Sequence, residues 1–416
     1  MKKNDNSKLP IVDIGPEIIV DMPKPEPDKF LLNISKKLKI YGVSLLIFLV
    51  VFLIGMIFIF RNDITVENYQ YLIRYLTSAD SEYTGNYEPI YFDSTGSTRV
   101  DIFHSDLAVL KGSGITLYNM LGNETLNYSL SYSNPILISD GKYMLTYDLG
   151  GYTFDLFNNF SKLESQTYEY PISNAAISSE GMYAVVTKSL EYQSVVYLYD
   201  HNFNLLSKIS KDKFVMGISI NDSASEILVL SAYAENGVYK TEISTYHPYE
   251  QEPSSSEILS GCLGIKCDYH SDGSYTVLTS DSIRFYDSNH NLTGEYEFTD
   301  ITPSKCEMGD SATIITYNKN VVGSTTNSII FDNRGEILCS CTVDSNIIDI
   351  ALVNSNAYLL GDGIIYELTP ENALTRTATV EGGATSVFAA DLTTLICGYT
   401  SMAQPILIED NFENIR

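Results

Sequence analysis

The chain has 416 residues, 44% hydrophobic and 19% charged, which is enough apolar content to bury a core. Acids outnumber Lys and Arg 52 to 26, a net charge of −26 that repels phosphate backbones and excludes nucleic acid as a partner. With 31 Tyr and no Trp, the composition suits strands and turns better than helical bundles.

The first 39 residues carry Pro10, Pro16, Pro23, Pro25 and Pro27, so a disordered cytoplasmic tail is expected. Within it, Ile11–Ile14 and Ile18–Val20 suit either a docking motif for a cytoplasmic partner or a plain spacer. Ile40 to Phe60 follows, 21 residues without a charge. At roughly 1.5 Å per residue it is about 31 Å long, enough for one transmembrane helix. The run shows no polar face, and no small-residue cleavage site follows it, which points to an uncleaved signal anchor.

Lys36, Lys37 and Lys39 stand just before the span, whereas Asp63 and Glu67 follow Arg61 after it. That asymmetry places the N-terminus in the cytoplasm and the C-terminal part outside a cell membrane. The overall charge split agrees, with 8 Lys against 6 acids in residues 1–39 and 18 basic residues against 46 acids in 61–416. No second run of comparable length occurs, which excludes a channel or transporter bundle from one copy. Residues 61–86 read as an extracellular stalk, with Tyr69, Leu72, Ile73 and Leu76 on one face of a short amphipathic helix over 64–76.

From residue 87 to 416 one phrase recurs. An alternating strand ends in an aromatic or apolar anchor, followed by an acid or Asn and a turn, as in Val196–Asn202 and Ile283–Asn289. The anchors fall at Tyr118, Phe157, Tyr199, Tyr246, Tyr286, Phe331, Tyr366 and Ile408, spaced 39, 42, 47, 40, 45, 35 and 42 residues apart. A second phrase, an Asp-Gly or Glu-Gly hairpin turn, precedes several anchors: Ser139–Tyr143, Ser179–Tyr183 and Ser271–Tyr275. The period predicts an all-β propeller of four-stranded blades, eight favoured and seven if the weak Tyr246 unit is an insertion. The last unit lacks its outer strand, and a spare strand, Pro89–Asp93, precedes the first unit. Pairing these two would close the ring and leave no free edge.

Chemical signatures are sparse. Asp boxes and WD repeats need Trp, and no H-E-x-x-H, G-x-S-x-G or phosphate-loop pattern occurs, so no catalytic, metal or cofactor residues are assigned. His201, His247 and His290 fall at anchor turns and read as solvated; His104 and His270 form no metal spacing. Asp200, Asp287, Asp332 and Asp410 also fall in turns, without the clustered oxygens of a calcium loop, and read as turn stabilisers. The six Cys allow 15 pairings, with Cys262–Cys267 the most plausible local bridge and Cys339 and Cys341 poorly placed to pair; buried free thiols are the other reading.

A Lys- and Pro-bearing tail, one anchor and strands such as Tyr197-Leu198-Tyr199-Asp200 make a layout that resembles a family of uncharacterised single-pass membrane proteins of Gram-positive anaerobes, classed as a domain of unknown function. The resemblance implies a tethered propeller at a bacterial cell surface and no assigned catalytic residues. Two functions compete on the residues themselves. One is a non-catalytic binding or scaffold module for an extracellular protein, peptide or cell-wall component. The other is a glycan- or peptide-cleaving hydrolase or lyase with channel carboxylates, for which Asp101 and Asp268 are the candidates, close together in one pocket.

Overall fold

The computed structural model describes residues 29–59, 88–94, 98–103, 106–318 and 325–414. The chain divides into two units, Met1–Thr84 and Gly85–Arg416. In the first, helix α1 spans Lys29–Ile59, and its stretch Lys36–Met56 is long and apolar enough to cross a membrane. The helix starts well before the apolar run, so residues 29–39 are helical rather than part of the expected unstructured tail. Pro27 is the last helix breaker, and the Leu and Lys residues after it favour helix. Residues 1–28, the expected stalk with its 64–76 helix, and His104 lie outside the described residues.

The second unit is a ring of eight blades, each a meandering antiparallel sheet. The first strands of the blades are Thr98–Phe103, Pro135–Asp140, Ile172–Ile177, Phe214–Ile220, Gly264–Tyr269, Pro303–Met308, Asp349–Val353 and Ser386–Ala389. Strands of this set pack against that of the next blade except between blades 5 and 6, where Lys266 reaches Glu307, and that of blade 8 meets that of blade 1, so they form the inner wall. Among the described residues, eight apolar clusters fill the eight seams between neighbouring blades. No blade buries both of its faces alone, so each seam carries hydrophobic stabilisation of the ring.

Blade 8 closes the ring as the spare strand required. Its outer strand is Ile90–Tyr91, paired Ile90↔Ala403 and Tyr91↔Met402. Ile90 and Phe92 are buried in the seam with Leu107, Val109 and Ile396. The outer strand is short, and among the described residues no strand pairs with Gln404–Leu407 on that side. Tyr399 N–H donates to Met402 O at 2.8 Å, so alternation turns the backbone of Pro405 and Leu407 toward that edge. Pro405 has no N–H to leave unpaired there, and Leu407 N–H donates to Asn411 Oδ1 at 2.9 Å, so the edge is blunted. Helix α2, Ile408–Asn411, then carries the chain to a fifth strand on blade 7, Glu413–Asn414.

The anchors end third strands, and each of the first six pairs with the start of its second strand: Leu107↔Tyr118, Met144↔Phe157, Tyr183↔Tyr199, Ile227↔Tyr246, Tyr275↔Tyr286 and Thr313↔Phe331. The last two expected anchors shift. The equivalent positions are Leu368, paired with Ala357, and Leu407, paired with Thr394. The Tyr246 unit is a full blade, not an insertion. Its spacing is long because its two middle strands, Ile227–Glu235 and Val238–Tyr246, have nine residues each.

In blades 1, 2, 3, 5 and 6 the acid or Asn after the anchor acts as a turn staple, whereas Asp410 lies in helix α2 and Glu367 pairs with Arg376. Asp200 Oδ1 accepts the N–H groups of Asn202 (2.9 Å) and Asn204 (2.8 Å), Asp287 Oδ1 those of Asn289 and Asn291 (2.9 and 2.8 Å), and Asp332 Oδ1 those of Arg334 and Glu336 (2.9 and 2.8 Å). Asn119 and Asn158 do the same in blades 1 and 2. A register shift at the anchor accompanies the turn in these blades, for example between Phe285 and Tyr286. The staples hold Asp200 and Asp287 below the usual carboxylate range. For Asp200, burial opposes the Asn204 and Asn202 hydrogen bonds, which prevail; for Asp287 the Asn291 side chain leads. One of these turns presses on a neighbour: a Cβ on Gly294 of blade 5 would lie 2.4 Å from the Arg334 carbonyl oxygen of blade 6.

All six cysteines are free thiols. The Cys262–Cys267 bridge is not formed. Both side chains are buried in the seam of blades 4 and 5 as small hydrophobes, and Thr241 Oγ1 fixes their loop by donating to Cys262 O (3.0 Å) and accepting from Gly264 N–H (2.7 Å).

Candidate functional site

The inner wall encloses a cavity of 470 Å³ lined by blades 2–6. An inner strand has a neighbour on one side only, so the N–H groups of its free edge face the channel and need partners. Channel side chains supply them. Asp101 Oδ1 accepts Ile102 N–H at 2.8 Å, Asn174 Oδ1 accepts Ala175 N–H at 2.9 Å, and Asp268 Oδ1 accepts Tyr269 N–H at 3.1 Å. Asp349 Oδ2 reaches the next blade, accepting Val387 N–H at 3.0 Å.

The cavity changes character along its axis. Met216 and Ile265 line it near the starts of the inner strands. Asn174, Ser219, Lys266 and Asp268 follow, and Asp140, Asp222 and Asp310 stand where the strands turn back. Burial pushes Asp140 up to about 6, with Asp222 adding to the rise. Burial also raises Asp222, helped by the charge of Asp310. Asp268 is raised by burial, against the pull of Ser219 Oγ, which donates to its Oδ1 at 2.7 Å, and of Lys266. Burial works against the charge of Lys266, yet Glu307, 3.5 Å from its Nζ, leaves its pKa raised.

Both sequence candidates sit on inner strands, as the repeat phase required, and at equivalent register: Asp101 opposite Ala108, Asp268 opposite Thr276. They belong to blades 1 and 5, opposite one another in a ring of eight, so the structure does not bring them together. Asp268 shares its cavity with Asp140, Asp222 and Asp310 instead. Asp101 lies outside that lining. Its carboxyl is pushed up to about 6 by burial, with smaller contributions from Glu307 and Asp349. Sequence reading missed Asp140, Asp222 and Asp310 as a group; the available signal was that each lies at the end of an inner strand or within two residues of it.

His270 is buried beside the cavity, with Nδ1 2.7 Å from Gly309 O and Nε2 2.7 Å from Thr276 Oγ1. The carbonyl can only accept, so Nδ1 carries the proton and Nε2 takes the Thr276 hydroxyl, which leaves neither nitrogen for a substrate. His290 is not the solvated turn residue expected. Its Nε2 lies 3.2 Å from Glu226 Oε1, and its ring packs against Tyr275. Among the described residues, no three His, Cys, Asp or Glu side chains stand in metal-ligating geometry.

Residues 82–397 match the model described as "Family of unknown function (DUF5711)". The chain belongs to the DUF5711 family. No curated protein matches the sequence. Solved structures resemble this DUF5711 chain in fold. BamB from Moraxella catarrhalis has a TM-score of 0.52 at 11% identity, covering 77% of this chain and 100% of that one. A structure titled as the eukaryotic initiation factor has a TM-score of 0.51 at 13% identity, covering 82% of this chain and 92% of that one. At such identities the likeness carries the propeller fold alone.

Proposed function

We propose that this DUF5711 protein is a membrane-tethered, non-catalytic binding module of a bacterial cell surface, which recognises a protein, peptide or cell-wall component at its central channel. The observation that carries this reading is the 470 Å³ cavity walled by five successive blades, a volume in the range of ligand sites. Its polar groups are largely engaged in edge capping and cross-blade bonds, which suits a rigid recognition surface. Helix α1 supplies the tether, and the Lys36, Lys37 and Lys39 cluster favours a cytoplasmic N-terminus with the propeller outside.

The full chain in detergent micelles, used as bait on solubilised envelope, is expected to retain one dominant partner. Met216→Trp with Ile265→Trp fills one end of the cavity from positions 39% and 52% exposed, so the fold is expected to survive while retention drops at least fivefold. Unchanged retention would contradict the channel as the site. Turnover of a wall glycan or peptide that disappears in Asp268→Asn would contradict the non-catalytic reading.

A further inference from the structure

In a meandering blade the turn from strand one to two and the turn from strand three to four lie on the same side of the sheet. The acids of the channel mouth belong to that face, and a second recess of 520 Å³ opens there between blades 3 and 4. Four turns wall it, those around residues 178–182, 200–204, 221–225 and 247–250. Its floor is apolar, built from Met182, Leu206, Ala224 and Pro248, with Tyr249 beside it 78% exposed. Its rim is acidic through Glu180 and Asp200.

The recess and the channel mouth share one turn. Ser223 and Ala224 line the recess, while the adjacent Asp222 lines the channel. Ser179 Oγ donates to the Asp222 carbonyl across the seam at 3.4 Å, so one pair of hydrogen-bonded turns borders both cavities and sets them side by side as a single surface track. The walls are set in advance. Asn221 Oδ1 accepts Ser225 N–H and Glu226 N–H at 2.9 and 3.0 Å, and Asp200 staples the facing turn. Binding there requires little loop ordering.

We propose that this track holds an extended segment of a partner protein, with an aliphatic side chain in the recess and a neighbouring Lys or Arg directed to Asp222, Asp140 and Asp310. The proposal rests on the binding-module reading and names its ligand chemistry. Charge complementarity selects this occupant. Phosphate polymers and anionic lipid headgroups are repelled by the rim and mouth. A second copy would bring the same acidic rim against this one, because a two-fold contact pairs identical surfaces. A small polyamine would satisfy the carboxylates and leave the apolar floor uncovered, whereas a Lys–Leu segment meets both.

The test uses the full chain in detergent micelles and two capped, fluorescein-labelled peptides, Lys-Leu-Lys-Leu-Lys and Glu-Leu-Glu-Leu-Glu. Saturable binding of the Lys-Leu peptide is expected, with none of the Glu-Leu peptide. Glu180→Lys with Asp222→Asn is expected to weaken it at least tenfold and Tyr249→Ala at least threefold. Glu371→Gln, an exposed acid on blade 7, is expected to change nothing. Unshifted melting curves keep the comparison about binding, since all four positions are exposed. Equal loss in Glu371→Gln would reduce the effect to bulk charge and overturn the proposal. A concentration-dependent dimer abolished by Tyr249→Ala would assign the recess to a second copy and also overturn it. No saturable peptide binding, with partner retention still lost when the channel is filled, would overturn this inference and leave the binding module standing.

Discussion

Blades 5 and 8 are built to the same plan by different means. Blade 5 runs unbroken from Gly264 to Glu297, with Tyr275 and Tyr286 stacked at 4.8 Å and Asp287 stapling the turn to its outer strand. Blade 8 takes three strands from the C-terminal end and its fourth, Ile90–Tyr91, from about 300 residues upstream. No turn leads to its outer strand, although Asp391 Oδ1 accepts Thr393 N–H at 2.7 Å between its first two strands, and Pro405 and Asn411 blunt the edge that the described residues leave unpaired. Local blades gain register from their turns, whereas the closing blade depends on a long-range contact that closes the largest loop in the fold. The ring therefore holds or fails at blade 8.

The largest effect is expected at that contact. Ile90, 2% exposed, lies in the seam of blades 8 and 1, and Ile90→Asp would bury an unpaired charge or expel the strand. A loss on the order of 3–5 kcal/mol is expected in thermal or denaturant unfolding. The same change at Leu292, on the outer strand of blade 5 and 46% exposed, should move the midpoint little. Matching midpoints would break the comparison.

A smaller effect of opposite sign is expected at Asp101, on the inner strand of blade 1 beside that seam. Its pKa is raised to about 6, chiefly by burial, so the folded state is penalised for its charge above that pH and gains stability as pH falls from about 6 toward 4. Asp101→Asn keeps an acceptor for Ile102 N–H and removes the charge, so it should stabilise at pH 7 by about 1–2 kcal/mol, less near pH 4. Destabilisation at pH 7 would contradict the burial account.

Asp287 behaves in the reverse sense. Its folded pKa is depressed, so the staple of blade 5 contributes above the ordinary Asp range and is lost as pH falls through the folded value. Asp287→Ala should lower the melting midpoint slightly at pH 7 and not at all once the pH is well below 3.8, the ordinary value. A deficit that persists in acid would mean the staple does not depend on the carboxylate. The smallest stability effect belongs to Pro405→Val, which restores an N–H where, among the described residues, no strand pairs with blade 8. Its expected outcome is association measured by light scattering with an unchanged midpoint; a monomer at all concentrations would show the edge needs no blunting.

The fold was legible where an aromatic anchor and a turn acid coincide. Tyr199-Asp200, Tyr286-Asp287 and Phe331-Asp332 marked blades 3, 5 and 6 because the staple chemistry is written in one residue. In blade 7 the residue after the true anchor is Thr369, and in blade 8 Leu407 lies in an unbroken apolar run, so these anchors were read two residues early and one late. The channel was less legible. Inner strands of blades 3–6 slip register at Ile172/Asn174, Val215/Gly217, Gly264/Lys266 and Pro303/Lys305. Each slip changes which face a later side chain takes, so alternation alone could not tell which acids meet in the cavity. Which blades stand opposite one another also follows only from the closed ring, and it separates Asp101 from Asp268.

The central claim is that the channel and its turn face form the binding site. Hydrogen exchange on the full chain, with and without the partner it retains, tests this most directly. Slower exchange is predicted at 178–182, 221–225 and 265–269, on the turns and inner strands of blades 3–5. Protection confined to the opposite face, at the hairpins around Leu190 and Tyr239, would contradict it.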